Sequence, residues 1–120
     1  QTFGRIYDLF PEGEREQIRK LLSYNLQAII YQRLMPTLKP EVARGPALEI
    51  LLNTPIVQKY IFEGREKDLL EVMKNSADEG MQDFTTALAD LVESEMVHHK
   101  VAIDASPRPE ELKMRLKGIG

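Results

Sequence analysis

The sequence predicts a mostly helical α+β domain with about six helices and one short pair of strands. Three observations lead to this prediction. Apolar residues recur at helical spacing over much of the chain, prolines and glycines divide it into short segments, and two apolar segments near the middle are too short for helices. The 120 residues correspond to one domain, and 42% hydrophobic with 29% charged residues excludes a mainly disordered chain.

The first helix is predicted to begin after the turn Pro11–Glu14 and to run for about five turns, ending before Pro36. Acidic side chains stand at its start, where the helix dipole favours them. Phe3–Phe10, which precedes it, is a short mixture of apolar and polar residues. The apolar stripe of this helix consists of Ile18, Leu21, Leu22, Leu26, Ile29 and Ile30.

Two strands are predicted next, at Arg33–Leu38 and Ala47–Leu52, and the loop Lys39–Pro46 joins them. Because an isolated pair of strands is only marginally stable, we expect this pair to lie on a helix or to extend a larger sheet.

Helical signals return after the strands. Thr54 is predicted to cap a helix with Pro55 at its first position, and Asp83 is predicted to cap a later one. The predicted helical segments are Ile56–Ile61, Leu69–Met73, Met81–Val92, a short segment at His98–Ala105, and Glu110–Lys117.

The composition excludes several classes of protein. Sixteen Lys and Arg against nineteen Asp and Glu give a formal charge of -3, which argues against a nucleic-acid-binding module. The absence of cysteine excludes disulfides, cysteine nucleophiles and thiolate zinc sites. No apolar run approaches the ~20 residues that a transmembrane helix needs.

No catalytic constellation is evident in the sequence. A phosphate-binding loop requires a glycine-rich string ending in Gly-Lys-Ser/Thr, which the chain lacks. Neighbouring residues on a helix point about 100° apart, so His98 and His99 indicate a solvated pair at a helix start rather than a metal site. Glu12, Glu14 and Glu16 fit helix-start electrostatics better than acid catalysis. We therefore predict no catalytic, cofactor-binding or metal-binding residue in this chain.

An ordered series of short strings runs along nearly the whole chain. Its members are Gly4–Pro11, Gln17–Arg19, Leu26–Ile30, Gln32–Pro36, Ala47–Ile50, Asn53–Pro55, Gly80–Gln82, Leu88–Val92 and Pro109–Glu111. The series resembles the C-terminal part of the PilT-type retraction ATPases, the twitching-motility members of the type II/IV secretion ATPase superfamily. That family has its nucleotide motifs before the first of these strings. The resemblance therefore implies that residues 1–120 are the C-terminal portion of a PilT-like, RecA-like motor domain, without those motifs.

The resemblance also implies what the parent protein does. It would be a cytoplasmic, hexameric ATPase, peripheral to the inner membrane, that binds ATP and magnesium and powers type IV pilus retraction. Its partners would be other copies of the motor and the pilus base machinery, and this segment would couple nucleotide state to movement. Two alternatives remain open: an autonomous helical protein-interaction domain, and part of a type II secretion or pilus-assembly ATPase. The lack of their four-cysteine zinc module favours retraction over the second.

The helix after Pro55 is the candidate interaction and retraction helix. The family has the string Ala-Ile-Arg-Asn-Leu-Ile-Arg-Glu there, and this chain has Ile-Val-Gln-Lys-Tyr-Ile-Phe-Glu. Two residues match, and Gln58 and Phe62 replace the arginines. The alternative is an ordinary amphipathic helix that packs on the core. The candidate residues are Gln58, Lys59, Ile61, Phe62, Glu63 and Arg65.

A segment taken from a larger sheet domain should expose an apolar edge. We therefore expect either self-association of the chain or a strand pair that the first helix shields.

Overall fold

The structure is a computed structural model that describes residues 2–118. Within these residues it has seven α-helices and one two-stranded antiparallel sheet, which confirms the predicted fold class. The elements are α1 (Thr2–Tyr7), α2 (Arg15–Asn25), β1 (Ala28–Pro36), β2 (Arg44–Leu52), α3 (Pro55–Phe62), α4 (Leu69–Asn75), α5 (Phe84–Glu93), α6 (His99–Ala105) and α7 (Pro109–Leu116). Short 3-10 helices form at Glu12–Glu14, Glu66–Asp68 and Ala77–Glu79.

The predicted first helix is wrong in its second half. Helix α2 ends at Asn25, Leu26 has extended backbone with φ -66° and ψ 135°, and β1 begins at Ala28. Ile29 and Ile30, assigned to the helical stripe, instead pair with residues of β2. Isoleucine is also a strong strand former, and the partner strand decides between the two conformations.

The predicted strand pair is confirmed, but each strand is longer than expected. Each has nine residues, and the register runs from Ala28 opposite Leu52 to Pro36 opposite Arg44. The connecting loop is therefore residues 37–43. On the other side of β2, Gln82 forms an isolated bridge with Ile50, with reciprocal backbone hydrogen bonds of 2.8 and 3.0 Å.

Helix α1 is an element that the sequence did not predict. Its residues Phe3 and Tyr7, one turn apart, are both 7% exposed, and their ring centroids lie 6.3 Å apart. Two buried aromatic side chains at this spacing stabilise a six-residue helix that would be marginal in isolation.

The later helices follow the prediction with two corrections. Pro55 opens α3, and Asp83 caps α5 by accepting from the Thr86 amide at 3.3 Å. Thr54 stands before α3 but makes no capping bond. Because Pro55 has no N–H, this helix start has one donor fewer to satisfy. Met81, assigned to the α5 stripe, lies outside that helix and is buried against the core.

Two hydrophobic clusters lie along a molecule of 49 × 27 × 23 Å, and the hairpin joins them. The first cluster contains Met35, Ala47, Phe84, Ala87, Leu88, Ala89, Val97, Ala102 and Leu112. The second contains Phe3, Tyr7, Leu51, Val57, Ile61, Leu69, Met73 and Met81. Strand β2 contributes Ala47 to the first cluster and Leu51 to the second, while β1 contributes Met35 to the first and packs its partly buried Ile29 against the second.

One face of the hairpin remains exposed. Ile30 and Leu34 of β1 are 64% and 52% exposed, and within residues 2–118 no strand pairs with the outer edge of β1. The opposite face is only partly covered: Met35, Ala47 and Leu51 are buried there, whereas Tyr31, which packs edge-to-face on Phe84 at 5.4 Å, remains 47% exposed. The predicted exposed apolar edge is therefore present, and the first helix does not shield it because α2 packs on α3 instead.

Candidate functional site: the groove between α2 and α3

Helix α3 has one face in the core and one at the surface. Val57 and Ile61, one turn apart, are completely buried. Ile61 is therefore a core residue and not a contact residue, which corrects its place among the candidates. Gln58, Lys59 and Phe62 lie on the other face, at the surface of the molecule.

These three residues line a groove between α2 and α3. Tyr24 of α2 and Pro55 complete its lining, and its volume is about 250 Å³. The rings of Tyr24 and Phe62 meet edge-to-face, with centroids 6.4 Å apart and an interplanar angle of 75°. Both rings are well exposed, at 70% and 45%. We call this surface the α2–α3 groove.

Asn53 fixes the position of α2 relative to α3. Its side-chain amide donates to the carbonyls of Ser23 at 3.0 Å and Leu26 at 2.6 Å, and its backbone amide donates to Gln27 at 3.0 Å. Carbonyls at the C-terminal end of a helix lack partners within the helix, so Asn53 satisfies them. Because Asn53 lies two residues before α3, this contact positions α2 and α3, the two helices that form the walls of the groove. It also gives Asn53 of the Asn53–Pro55 string a structural role.

Glu63 and Arg65 form a separate group at the end of α3. The Arg65 guanidinium lies 3.3 Å from the Glu63 carboxylate, donates to Asp68 at 2.9 Å and stacks 4.2 Å from the centre of the Tyr60 ring. Neither residue lines the α2–α3 groove. Arg65 is thus engaged in local contacts that hold the turn between α3 and α4.

A polar cluster joins α1, α2 and that same turn. The Tyr7 hydroxyl donates to Glu66 Oε1 at 2.5 Å, and Arg19 Nε lies 3.5 Å from the same oxygen. The Arg19 guanidinium also lies 5.0 Å from the centre of the Tyr7 ring. Burial and the Glu66 carboxylate raise the pKa of Tyr7 to about 12. Tyr7 therefore remains a hydrogen-bond donor at neutral pH, in a structural role.

Two carboxylates hold the first turn of α5. Glu49 of β2 accepts from the Phe84 amide at 3.2 Å, and Asp83 accepts from the amide and hydroxyl of Thr86 at 3.3 and 2.5 Å. Burial raises the pKa of Glu49, and the nearby charge of Asp83 adds to this effect. The hydrogen bonds of both side chains go to the α5 terminus, as expected for helix caps.

The structure places His98 in a capping role, with His99 stacked on its ring. His98 Nδ1 accepts from the Lys100 amide at 3.1 Å at the start of α6, and the exposed rings of His98 and His99 stack at 4.4 Å. Glu12, Glu14 and Glu16 are exposed at the start of α2. In the part of the chain from 2 to 118, no three His, Asp or Glu side chains are placed to hold a metal ion. No helix formed by those residues has the length and apolar character to cross a membrane.

Comparison with known proteins gives a consistent set of relatives, although no family model matches the chain. It is 33% identical to the type IV pilus ATPase PilU of Pseudomonas aeruginosa over 117 residues, 98% of this chain and 30% of PilU. It is 33% identical to a twitching motility protein of Neisseria gonorrhoeae over 85% of this chain and 27% of that protein. The crystal structure of the pilus retraction motor PilT with bound ADP superposes with a TM-score of 0.80 and 32% identity, over 93% of this chain and 30% of PilT.

The chain belongs to the PilT-type ATPase family and matches its C-terminal part.

This PilT-type chain spans about 30% of the length of these relatives. The Legionella pneumophila ATPase DotB superposes with a TM-score of 0.64 at 20% identity, which shows a shared fold alone.

The candidate residues on α3 and in the turn after it lie in three places. Gln58, Lys59 and Phe62 meet at the α2–α3 groove, Glu63 and Arg65 pair with each other, and Ile61 lies in the core. Tyr24 is a groove residue that was not among the residues predicted from the sequence. Its position outside the apolar stripe of α2 is the signal that would have indicated an exposed aromatic side chain.

Proposed function

We propose that this chain is the C-terminal part of a hexameric ATPase motor that powers type IV pilus retraction in twitching motility. The similarity to PilU and to the pilus retraction motor PilT over nearly the whole chain carries this proposal. The motor would be cytoplasmic and peripheral to the inner membrane, where it would act on the pilus base machinery. ATP and magnesium would bind to parts of the motor other than these 120 residues. This segment would couple changes of nucleotide state to mechanical movement.

The exposed face of the hairpin supports the assignment of residues 1–120 to a larger motor domain. Ile30 and Leu34 expose apolar surface next to the edge of β1 that no strand pairs with among residues 2–118, and such an edge in native proteins is normally covered or paired. We propose that the remainder of the RecA-like domain covers this face. In the same arrangement α3 would present Gln58, Lys59 and Phe62 as an interaction surface.

The two alternatives are less well supported. An autonomous helical interaction domain that shares ancestry with the motor would have the same similarity, but it leaves the exposed apolar face of the hairpin without a partner. For a secretion ATPase, the likeness to DotB is at the lower identity of 20% and concerns the fold alone.

Deletion of the gene tests the motor function. Cells without the full-length protein should lose twitching and keep assembled pili on their surface, and the complete gene should restore movement. A matched gene that lacks the region encoding these residues should not restore it. Unchanged twitching in the deletion strain would contradict the proposal.

A nucleotide titration tests the division of labour within the motor. We expect calorimetry to show Mg²⁺-ATP binding by the full-length protein and none by the 120-residue chain. Tight, magnesium-dependent binding by the chain alone would refute the assignment of the nucleotide site to other parts of the motor.

A further inference from the structure

We propose that the α2–α3 groove binds an acidic, amphipathic segment of a partner protein, which packs an apolar side chain against Tyr24 and Phe62. This inference deepens the proposed interaction role of α3 and rests on it. The size of the groove, its aromatic lining and its charge each restrict the occupant.

The size of the groove favours a side chain over a small molecule. Pockets for cofactors and other small ligands usually have volumes of about 300–1,000 Å³ and enclose most of the ligand. The α2–α3 groove has about 250 Å³ and is an open surface depression. One or two apolar side chains of a protein segment fill such a space.

The exposed aromatic rings indicate a protein contact. Single exposed apolar residues are common, but Tyr24 and Phe62 come from different helices and touch each other. Leu21, one turn before Tyr24 on α2, is 57% exposed and extends the apolar surface. Tyrosine and phenylalanine are enriched in interfaces because they bury large areas while losing little side-chain entropy.

The charges around the groove select an acidic partner. Lys59 lines the groove, and Lys20 lies one turn before Tyr24 on α2. The lining contains no carboxylate, although the chain as a whole has a net charge of -3. Glu63, the acidic residue next to Phe62, is paired with Arg65 at 3.3 Å. Within residues 2–118 neither lysine forms an ion pair, so both amines can meet carboxylates of a partner.

A helix is the form of acidic segment that fits this surface. An amphipathic helix places apolar side chains at i, i+3, i+4 and i+7 in a groove, with polar side chains on either side. The two lysines lie on different helices, so they can meet acidic residues that flank the apolar stripe of such a ligand. A membrane surface is the competing occupant, but binding to anionic lipid usually requires a cluster of about 4–8 basic residues.

Three synthetic helical peptides test the inference against the isotope-labelled chain by nuclear magnetic resonance. The first has leucine on one face and glutamate on the other, the second has lysine for glutamate, and the third has serine for leucine. Only the first should bind, with amide shifts centred on Tyr24, Gln58 and Phe62. Phe62→Ser should weaken binding at least about tenfold, as loss of a central aromatic anchor does. Met114→Ser, at a residue 55% exposed on α7, is the matched control and should bind normally.

The double variant Lys20→Glu, Lys59→Glu tests the charge directly. It should lose the glutamate peptide and gain the lysine peptide, and its well-dispersed spectrum should show that the fold is intact. Equal binding of both charged peptides by the unmodified chain would overturn the inference. Amide shifts caused by phosphatidylglycerol vesicles but by no peptide would also overturn it and would indicate a membrane contact.

Twitching assays separate this inference from the proposed role of α3. If Phe62→Ser in the full-length protein abolishes twitching while the acidic peptide fails to bind, the role of α3 stands and the inference is wrong. If the peptide binds as described but cells with the Phe62→Ser variant of the full-length protein twitch normally, the groove binds acidic segments and α3 has no part in retraction.

Discussion

Ile61 and Phe62 are neighbours in sequence with opposite environments, and paired substitutions should separate their roles. Ile61 is completely buried in the second hydrophobic cluster, whereas Phe62 is 45% exposed at the α2–α3 groove. Ile61→Ala should therefore lower the free energy of unfolding strongly, and Phe62→Ala should lower it only slightly.

The expected loss for Ile61→Ala follows from its burial. Removing Cγ1, Cγ2 and Cδ1 costs about 0.8 kcal/mol for each buried carbon, or about 2.4 kcal/mol in transfer free energy. The cavity against Val57, which is also fully buried, raises the total to about 3–4 kcal/mol. In a chain of this length that corresponds to a melting temperature lower by about 10–20 °C. For Phe62→Ala, with about half of the ring already in water, the loss should be about 1 kcal/mol.

Urea denaturation followed by far-ultraviolet circular dichroism measures both free energies of unfolding. The slope of the free energy against urea concentration should be the same in all three proteins, so that the midpoints report stability alone. A loss below about 1 kcal/mol for Ile61→Ala, or a larger loss for Phe62→Ala than for Ile61→Ala, would refute the placement of α3 on the core.

Three further outcomes are expected. Folding raises the pKa of Tyr7 from 10.0 to about 12, so the contribution of Tyr7 to stability is present below pH 10 and is lost as the pH rises through 12. The urea midpoint of the parent chain should therefore fall over this alkaline range, and Tyr7→Phe should remove that fall. The pKa of Glu49 is raised above 4.5 on folding, so its contribution is present below pH 4.5 and is lost as the pH rises through the folded value. Glu49→Gln should therefore gain stability relative to the parent chain as the pH rises above 4.5, and a constant difference would contradict the burial of Glu49. Gly64 has φ +73°, so Gly64→Ala should cost about 1 kcal/mol or more, while Gly13→Ala, at a site with open space and no positive φ, should be nearly neutral by the same measurement.

Local signals predicted those elements whose ends carry distinct chemistry. Pro55 and Asp83 marked the starts of α3 and α5, and the acidic pair Glu110 and Glu111 marked the start of α7, which begins one residue earlier at Pro109. Such end signals act within a few residues, so they can be read without the tertiary fold.

The prediction failed where one sequence suits two conformations. Ile29 and Ile30 fit both a helical stripe and a strand, and they form a strand because they pair with Leu51 and Ile50 of β2, which lie 22 and 20 residues further along the chain. Phe3 and Tyr7 form a turn of helix only because both rings find a core to pack on. Neither partner is visible in the local sequence.

The candidate site shows the same division. The family resemblance located α3 and its residues, but it did not distinguish Ile61 in the core from Phe62 at the surface. Tyr24 belongs to the site because Asn53 holds the end of α2 beside α3, which brings the Tyr24 ring to Phe62.

The sequence by itself determined the class of fold, the family, and the helix on which the candidate residues lie, because these depend on residue types and their order. Only the tertiary structure decided which side chains meet. The α2–α3 groove needs residues more than thirty positions apart in the chain, and long-range packing and hydrogen bonds, which no local pattern encodes, bring them together.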